Sequence, residues 1–269
     1  MVKLLLIVSM LAGGYLFGLG KIEREMVYPF DATHVAPAAT GLRGIKEVQL
    51  RSRGQTIILW VHAPDPGQPT VLYFHGNAGN LANRAGRFAR LTDRGYGLIA
   101  PAYRGSSGST GRPSERALTR DAVQIWRKLG DLVPGLHPET TVIYGESLGT
   151  GVALKLLAQP GTPPPMAVVL EAPYTSLPDV ALRAYPQLEP LIGRMKNIWN
   201  SKQHAKALTA PLLVMHGTLD QIIPIDQGRQ VFDAASSPRK RFLAVRGAGH
   251  NDIWRSDSLP VLWRFIDGL

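Results

Sequence analysis

From residue 71 onward the chain alternates short apolar runs with longer helical stretches, and this alternation limits the folds available to it. Strands that alternate with helices of ordinary length form a parallel sheet covered by helices on both faces. The sequence therefore predicts an α/β fold with a mostly parallel central sheet. The apolar runs are VLYFH (71–75), GLIAP (97–101), TVIYG (141–145), AVVLE (167–171), PLLVMH (211–216) and RFLAVR (241–246).

The segment before residue 71 has a different pattern. KEVQLRS (46–52) alternates polar and apolar residues, and QTIILWVHA (55–63) has a β-branched apolar centre. Two such runs separated by a short turn indicate an antiparallel strand pair, which we place at the edge of the sheet. With 269 residues and 45% apolar content, we expect one large domain.

The N-terminal segment is uncharged from Leu4 to Gly20 and is followed by the charged KIERE. Its length is at the lower edge of a membrane span, and no A-x-A cleavage site follows it. We expect residues 1–27 to form an uncleaved signal anchor and residues 28–269 to form the folded domain. The short N-terminal tail favours a domain on the periplasmic or extracellular side. A buried N-terminal helix is the alternative.

The net charge of +10 does not indicate a nucleic-acid partner, because the basic residues are scattered along the chain. They are interpreted as a solvated basic surface, and examples are the arginines at 84, 87, 90, 94 and 104. The chain has no cysteine. Disulfides, thiolate metal sites and a cysteine nucleophile are therefore excluded.

Ser147 lies in GESLG (145–149), between an apolar run and the next helical stretch. This segment matches G-x-S-x-G, in which the serine occupies a strained turn that raises its hydroxyl above the sheet. The residues two positions away must be small, because larger side chains would collide with the turn. The pattern predicts that Ser147 is an exposed nucleophile.

A serine nucleophile needs a base, and the base needs a carboxylate to hold its tautomer. Asp220 follows the run at 211–216, and His250 lies in the glycine-rich loop after the run at 241–246. Loops after parallel strands meet at one edge of the sheet. We therefore predict a triad of Ser147, Asp220 and His250. Glu171 is the main competing acid, and Asp226 and Asp252 are further alternatives.

The reaction also needs two donors for the oxyanion. Leu148 follows the nucleophile at a helix start, so its backbone N–H is one candidate. The loop FHGNAGN (74–80) supplies the other, for which we choose the N–H of Asn77, with Ala78 as the alternative. We expect His75 to shape this loop rather than to act as the base.

Six segments in this order resemble the α/β-hydrolase family, and within it the membrane-anchored branch of the bud-emergence-type and depalmitoylating hydrolases. The resemblance covers about residues 70–255 and implies the α/β-hydrolase fold, the same triad and oxyanion donors, and an N-terminal anchor. The depalmitoylating members attach through N-terminal cysteines, which this chain lacks. The segments are YFHGNAGN, YRGSSGSTGRPSE, YGESLGTG, EAPYTS, HGTLDQIIP and GAGHND.

These observations lead us to expect a serine hydrolase that cleaves a small carboxylic ester or thioester and uses no metal or organic cofactor. Residues 174–209 are expected to form a short lid over an apolar acyl pocket. A serine peptidase of the same fold and a non-catalytic, membrane-tethered binding protein are the alternatives. The apolar lid residues are Tyr185, Leu188, Ile192, Met195 and Trp199.

Overall fold

The computed structural model describes residue 18 and residues 20–269, and at its centre is an eight-stranded sheet. The strands are β1 (Lys46–Ser52), β2 (Gln55–His62), β3 (Thr70–Phe74), β4 (Gly97–Pro101), β5 (Thr141–Glu146), β6 (Ala167–Glu171), β7 (Leu212–Gly217) and β8 (Lys240–Val245). Their order in the sheet is β1-β2-β4-β3-β5-β6-β7-β8. Strand β2 is antiparallel to both β1 and β4, and every other neighbouring pair is parallel. The predicted sheet and its antiparallel edge are confirmed.

Helices cover both faces of this sheet, as predicted. Residues 20–27 are helical and are called α1. The other α-helices of the described residues are α2 (Ala85–Thr92), α3 (Glu115–Arg127), α4 (Leu129–Leu132), α5 (Leu148–Leu157), α6 (Leu177–Ala184), α7 (Glu189–Ile192), α8 (Ser201–Ala205), α9 (Ile225–Ala234) and α10 (Leu259–Asp267).

The core is divided into two apolar clusters because successive strand residues point to opposite faces of the sheet. In β2, Leu59 belongs to one cluster, and its neighbour Trp60 belongs to the other. The first cluster includes side chains of α3, α5 and α9, and the second includes side chains of α2 and α10. Both faces of the central strands are buried, which explains why their sequences read as unbroken apolar runs.

The insert between β6 and β7 contains α6, α7 and α8. Helix α8 packs against α5 and α9 and so belongs to the helical layer. Helices α6 and α7 contact each other and carry several exposed apolar side chains. The exposed large apolar residues of the insert are Leu182, Tyr185, Leu188, Leu191 and Ile198.

The predicted membrane anchor is corrected by the structure. Within residue 18 and residues 20–269, no helix has the length and apolar character needed to cross a membrane. The stretch at residues 4–20 falls almost wholly outside the described residues. The predicted membrane-anchored protein with its domain on the non-cytoplasmic side is therefore wrong, because none of the described helices can serve as that anchor. The domain boundary at residue 28 stays a prediction.

Candidate active site

Ser147 lies at the junction of β5 and α5 with φ 50° and ψ −113°, a strained backbone conformation for a residue with a side chain. Its backbone N–H donates to the carbonyl oxygen of Glu171 at 2.8 Å, which fixes the turn to the end of β6. A Cβ atom at Gly149 would lie 2.0 Å from the carbonyl oxygen of Phe74, and one at Gly145 would lie 2.8 Å from the carbonyl oxygen of Gly149. The two glycines therefore let α5 approach the sheet closely and raise Ser147 above it.

The three side chains predicted as a triad form a continuous hydrogen-bonded series. His250 Nε2 lies 3.0 Å from Ser147 Oγ, and His250 Nδ1 lies 2.7 Å from Asp220 Oδ2. The imidazole is largely buried, and the carboxylate is fully buried. This arrangement lets a proton move from the serine to Nε2 while the carboxylate stabilises the imidazolium.

Asp220 is held as a carboxylate by several donors. Its Oδ1 accepts the backbone N–H groups of Ile222 at 2.9 Å and Ile223 at 2.8 Å. His216 Nε2 lies 3.4 Å from Oδ2 and 2.8 Å from the carbonyl oxygen of Ile223. Burial raises the pKa of Asp220, but the hydrogen bonds from His216, His250 and Ile223 outweigh it and hold this pKa well below its usual value.

The competing acids have other partners. Glu171 forms a bidentate ion pair with Arg87, with N···O distances of 2.6 and 2.8 Å. It also accepts hydrogen bonds from Tyr144 and Trp254. Asp252 accepts the N–H of Gly249 at 2.6 Å, which orders the loop next to His250. Asp226 lies in the first turn of α9.

The two predicted oxyanion donors lie beside the nucleophile. Gly76, Asn77 and Ala78 line the same cavity as Ser147 and Leu148. Neither the Asn77 N–H nor the Leu148 N–H donates a hydrogen bond to another group of the described residues. Both are thus available to an oxygen bound there.

His75 packs against the buried side of this loop. Its ring is fully buried, with Nδ1 2.8 Å from the Gly76 carbonyl oxygen and with its ring centroid 4.2 Å from that of Tyr103. Tyr103 also donates to the His75 carbonyl oxygen at 2.9 Å. Burial, reinforced by the nearby Arg84 charge, lowers the pKa of His75 to about 3. A neutral buried imidazole of this kind shapes the loop.

Of the arginines that were interpreted as part of a solvated surface, Arg84 and Arg87 are instead mostly buried in ion pairs near the site, and Arg104 is buried against Asp121. Arg84 donates to Glu146 at 2.9 Å and also to the Ala78 carbonyl oxygen, so it joins the nucleophile turn to the loop of Asn77. Burial raises the pKa of Glu146, but Arg84 and Arg87 more than offset this and lower it to about 2. Arg84 and Arg87 are spaced i, i+3 along consecutive helical turns, but Arg90 continues this spacing and is exposed, so the sequence did not single out the buried pair.

A cavity of about 500 Å³ opens onto Ser147 and His250 and is lined mainly by apolar side chains. Four of the five lid residues named from the sequence line it, namely Tyr185, Leu188, Ile192 and Met195. Trp199, which is also part of the insert, is instead fully buried, and its indole N–H donates to the Tyr28 hydroxyl at 2.9 Å. The sequence did not reveal that α1 also lines this cavity.

The sequence is similar to proteins from bacteria and eukaryotes. Rv2307c of Mycobacterium tuberculosis, described as uncharacterized, is 34% identical over 91% of this chain and 86% of its own length. The rat lysophosphatidylserine lipase ABHD12 is 30% identical over 79% of this chain, and the chain spans only 59% of ABHD12. Protein bem46 of Schizosaccharomyces pombe is 29% identical over 94% of this chain and 87% of its own length.

Two further comparisons concern a family model and a solved structure. A family model for hydrolases, described as serine aminopeptidase, S33, matches residues 189–253. The Pyrococcus furiosus esterase Pf2001 superposes with a TM-score of 0.71 over 90% of this chain and 98% of its own. Its sequence identity is 17%, so this likeness concerns the fold.

Proposed function

This chain belongs to the α/β-hydrolase superfamily, in the branch of bem46 and ABHD12, and we propose that it hydrolyses carboxylic esters through an acyl-enzyme on Ser147. As a serine hydrolase it needs an activated serine beside a space for the substrate. The observation that carries the proposal is the series Asp220, His250 and Ser147, joined at 2.7 and 3.0 Å beside an apolar cavity.

In the proposed reaction, Ser147 Oγ attacks the substrate carbonyl carbon while His250 Nε2 accepts the serine proton. The same proton then passes to the leaving alcohol or thiol as the acyl bond breaks. A water molecule next attacks the acyl-enzyme, and His250 accepts a proton from the water and returns it to Ser147. Asp220 holds the other imidazole proton on Nδ1 and stabilises the imidazolium in both halves of the cycle.

We assign the oxyanion to the backbone N–H groups of Leu148 and Asn77. Leu148 is the first residue of α5, where free N–H groups and the helix dipole favour negative charge. The Arg84 side chain keeps Asn77 in place by holding the neighbouring Ala78 carbonyl oxygen. Each such donor contributes about 3 to 4 kcal/mol to stabilisation of the transition state.

The proposed substrate is an ester with an aliphatic acyl group, and a thioester with such a group is the alternative. The name of the rat relative, a lysophosphatidylserine lipase, is in line with an ester that carries such a chain. The cavity is of the size typical for small-molecule sites, and its lining is largely apolar. In this proposal residues 28–269 form the hydrolase domain, and residues 174–209 form its lid.

The aminopeptidase description of the family model raises a second candidate activity. An aminopeptidase must bind the positive α-ammonium group of its substrate, which requires a free carboxylate in the pocket. The acidic residues lining the cavity in the described part of the chain are Glu23 and Glu146. Glu146 is paired with Arg84, and Glu23 accepts backbone N–H groups. The lining therefore favours an uncharged acyl group.

Turnover of p-nitrophenyl acyl esters and of aminoacyl p-nitroanilides by the full-length chain tests the proposal. We expect the esters to be hydrolysed and the anilides to be much poorer substrates. Ser147→Ala should lower kcat for the esters by about 10⁵-fold or more. Ester turnover that survives in Ser147→Ala would refute the role of this serine, and faster anilide turnover would favour the peptidase.

A further inference from the structure

Helix α1 contributes side chains to the same cavity as Ser147. Ile22, Met26 and Val27 line this cavity together with Ser147 and His250. Val27 also packs against one of the two core clusters. Residues 20–27 are therefore attached to the folded domain and do not extend away from it.

The attachment is made by the carboxylate of Glu23. Its Oε1 accepts the backbone N–H of Asn197 at 2.8 Å and the Asn197 side-chain amide at 2.7 Å. The Lys196 N–H lies 3.0 and 3.1 Å from the two carboxylate oxygens. Glu23 thus fixes α1 to the segment of the insert that lies between α7 and α8. Hydrogen bonds to a charged acceptor are among the stronger ones in proteins.

The same contact extends into the core of the domain. The Asn197 side-chain oxygen accepts the Tyr28 hydroxyl at 2.9 Å and the Glu115 backbone N–H at 2.7 Å. Tyr28 in turn accepts the indole N–H of the buried Trp199 at 2.9 Å. The position of α1 is therefore coupled to the first turn of α3 as well as to the insert.

The two sides of α1 differ in character. Ile22 and Met26 are four residues apart, and so they lie on one side of the helix. Each is 55% exposed although both line the cavity. Lys21 and Glu25 pair with each other at 3.8 Å and are about two-thirds exposed, and the cavity lining does not include them. An apolar group in the cavity would cover the first pair and leave the second in water.

We propose that α1 is a substrate-binding element, in which Ile22 and Met26 contact the acyl chain and Glu23 is a positioning residue that holds this wall against the insert. The inference rests on the proposed esterase function and adds a chain-length determinant to it. The occupant is the aliphatic chain of the ester, because the same cavity is continuous with Ser147. Acyl groups of one or two carbons, which stay beside the nucleophile, do not reach α1.

The experiment compares kcat/KM for p-nitrophenyl acetate with that for the octanoate and dodecanoate esters in full-length variants. Met26→Trp fills the cavity beside α1, and Glu23→Ala removes the carboxylate that holds it. Glu25→Gln is the matched control, since it changes an acidic residue on the same helix outside the cavity. Each buried methylene changes kcat/KM by about fourfold, so displacement of two methylenes by tryptophan lowers the long-chain value by about 15-fold.

We expect Met26→Trp and Glu23→Ala to lower the ratio of long-chain to acetate kcat/KM by about tenfold or more, mainly through a higher KM for the long-chain esters. Glu23→Asp should recover part of the loss, and Glu25→Gln should match the wild type. An unchanged chain-length profile in both variants, with normal acetate turnover, would overturn the inference and leave the esterase proposal intact. Absence of turnover of all three esters by the wild type would overturn the esterase proposal itself.

Discussion

At the scale of single residues, the candidate site depends on charge states that burial alone would not allow. Asp220 has no solvent contact at its carboxylate, and burial raises its pKa, yet the donors around it keep it ionised. Among them His216 is a buried residue that the sequence analysis did not single out. It lies at the end of β7, and only the turn at Ile223 brings its Nε2 near Asp220.

The first prediction concerns the acid of the triad. Asp220→Asn should lower kcat for ester hydrolysis by about 10⁴-fold with little change in KM, because an amide cannot fix the same imidazole tautomer. Steady-state kinetics with a p-nitrophenyl ester measures both constants. Asp226→Asn, at an exposed position on α9, is the control and should behave as the wild type. A kcat for Asp220→Asn within about tenfold of the wild type would contradict the assignment.

The second prediction concerns His75, whose pKa is lowered to about 3 by burial and the Arg84 charge. An unfolded histidine titrates near 6.5, so below that pH the unfolded state binds a proton that the folded state does not. Folding stability therefore falls as pH decreases through about 6.5 towards 3, by about 2 kcal/mol between pH 7.5 and 5 from this residue.

Urea unfolding at several pH values measures this effect. His75→Asn should lose less stability than the wild type as pH falls through the same range, because its side chain does not titrate. His137→Asn replaces an exposed histidine and should keep the wild-type slope. Identical slopes for His75→Asn and the wild type would show that His75 is not held neutral in the folded state.

At the scale of elements, the junction of β5 and α5 was predictable because its steric demands leave a local sequence signal. The nucleophile turn needs glycine on both sides, and that spacing appears in GESLG. The strands were predictable for a related reason, since burial of both faces produces unbroken apolar runs. The position of α1 against the domain was not predictable, because its partners at Lys196 and Asn197 are distant in sequence.

The third prediction tests the close approach of α5 to β3. Gly149→Ala should abolish ester turnover and destabilise the protein by about 3 kcal/mol or more, because the added Cβ would lie 2.0 Å from the Phe74 carbonyl oxygen. Gly86→Ala, in α2, is the control, since no atom lies within 4 Å of the added Cβ there. It should be neutral or stabilising by up to about 1 kcal/mol. Thermal unfolding of both variants decides the matter, and equal stability of the two would contradict the packing described.

At the scale of the whole molecule, a buried network of charges joins strand ends that are far apart in sequence. Arg84 pairs with Glu146 at the end of β5, and Arg87 pairs with Glu171 at the end of β6. Tyr73 of β3 donates to Glu146 at 2.7 Å. The partners come together only because β3, β5 and β6 are neighbours in the sheet. In the sequence these arginines therefore look like scattered surface charges, whereas in the fold they form ion pairs.

The fourth prediction separates this network from the reaction. Glu171→Gln should destabilise the protein by about 3 kcal/mol, because the largely buried Arg87 guanidinium loses its nearest carboxylate and keeps Glu146 at 4.0 Å. Well below its unfolding temperature, the variant should keep a kcat within about tenfold of the wild type, in contrast with Asp220→Asn. Unfolding and kinetics measured on both variants make the comparison. A loss of kcat in Glu171→Gln equal to that in Asp220→Asn would indicate that Glu171, and not Asp220, is the carboxylate of the triad.

The central claim is that Ser147 is the nucleophile of a working serine hydrolase, and covalent labelling tests it most directly. The full-length chain is incubated with a fluorophosphonate, and the adduct is located by peptide mass spectrometry. We expect one phosphonate per chain, on Ser147, with no labelling of Ser147→Ala and strongly slowed labelling of His250→Ala. Absence of an adduct in the wild type, or an adduct on another serine that persists in Ser147→Ala, would contradict it.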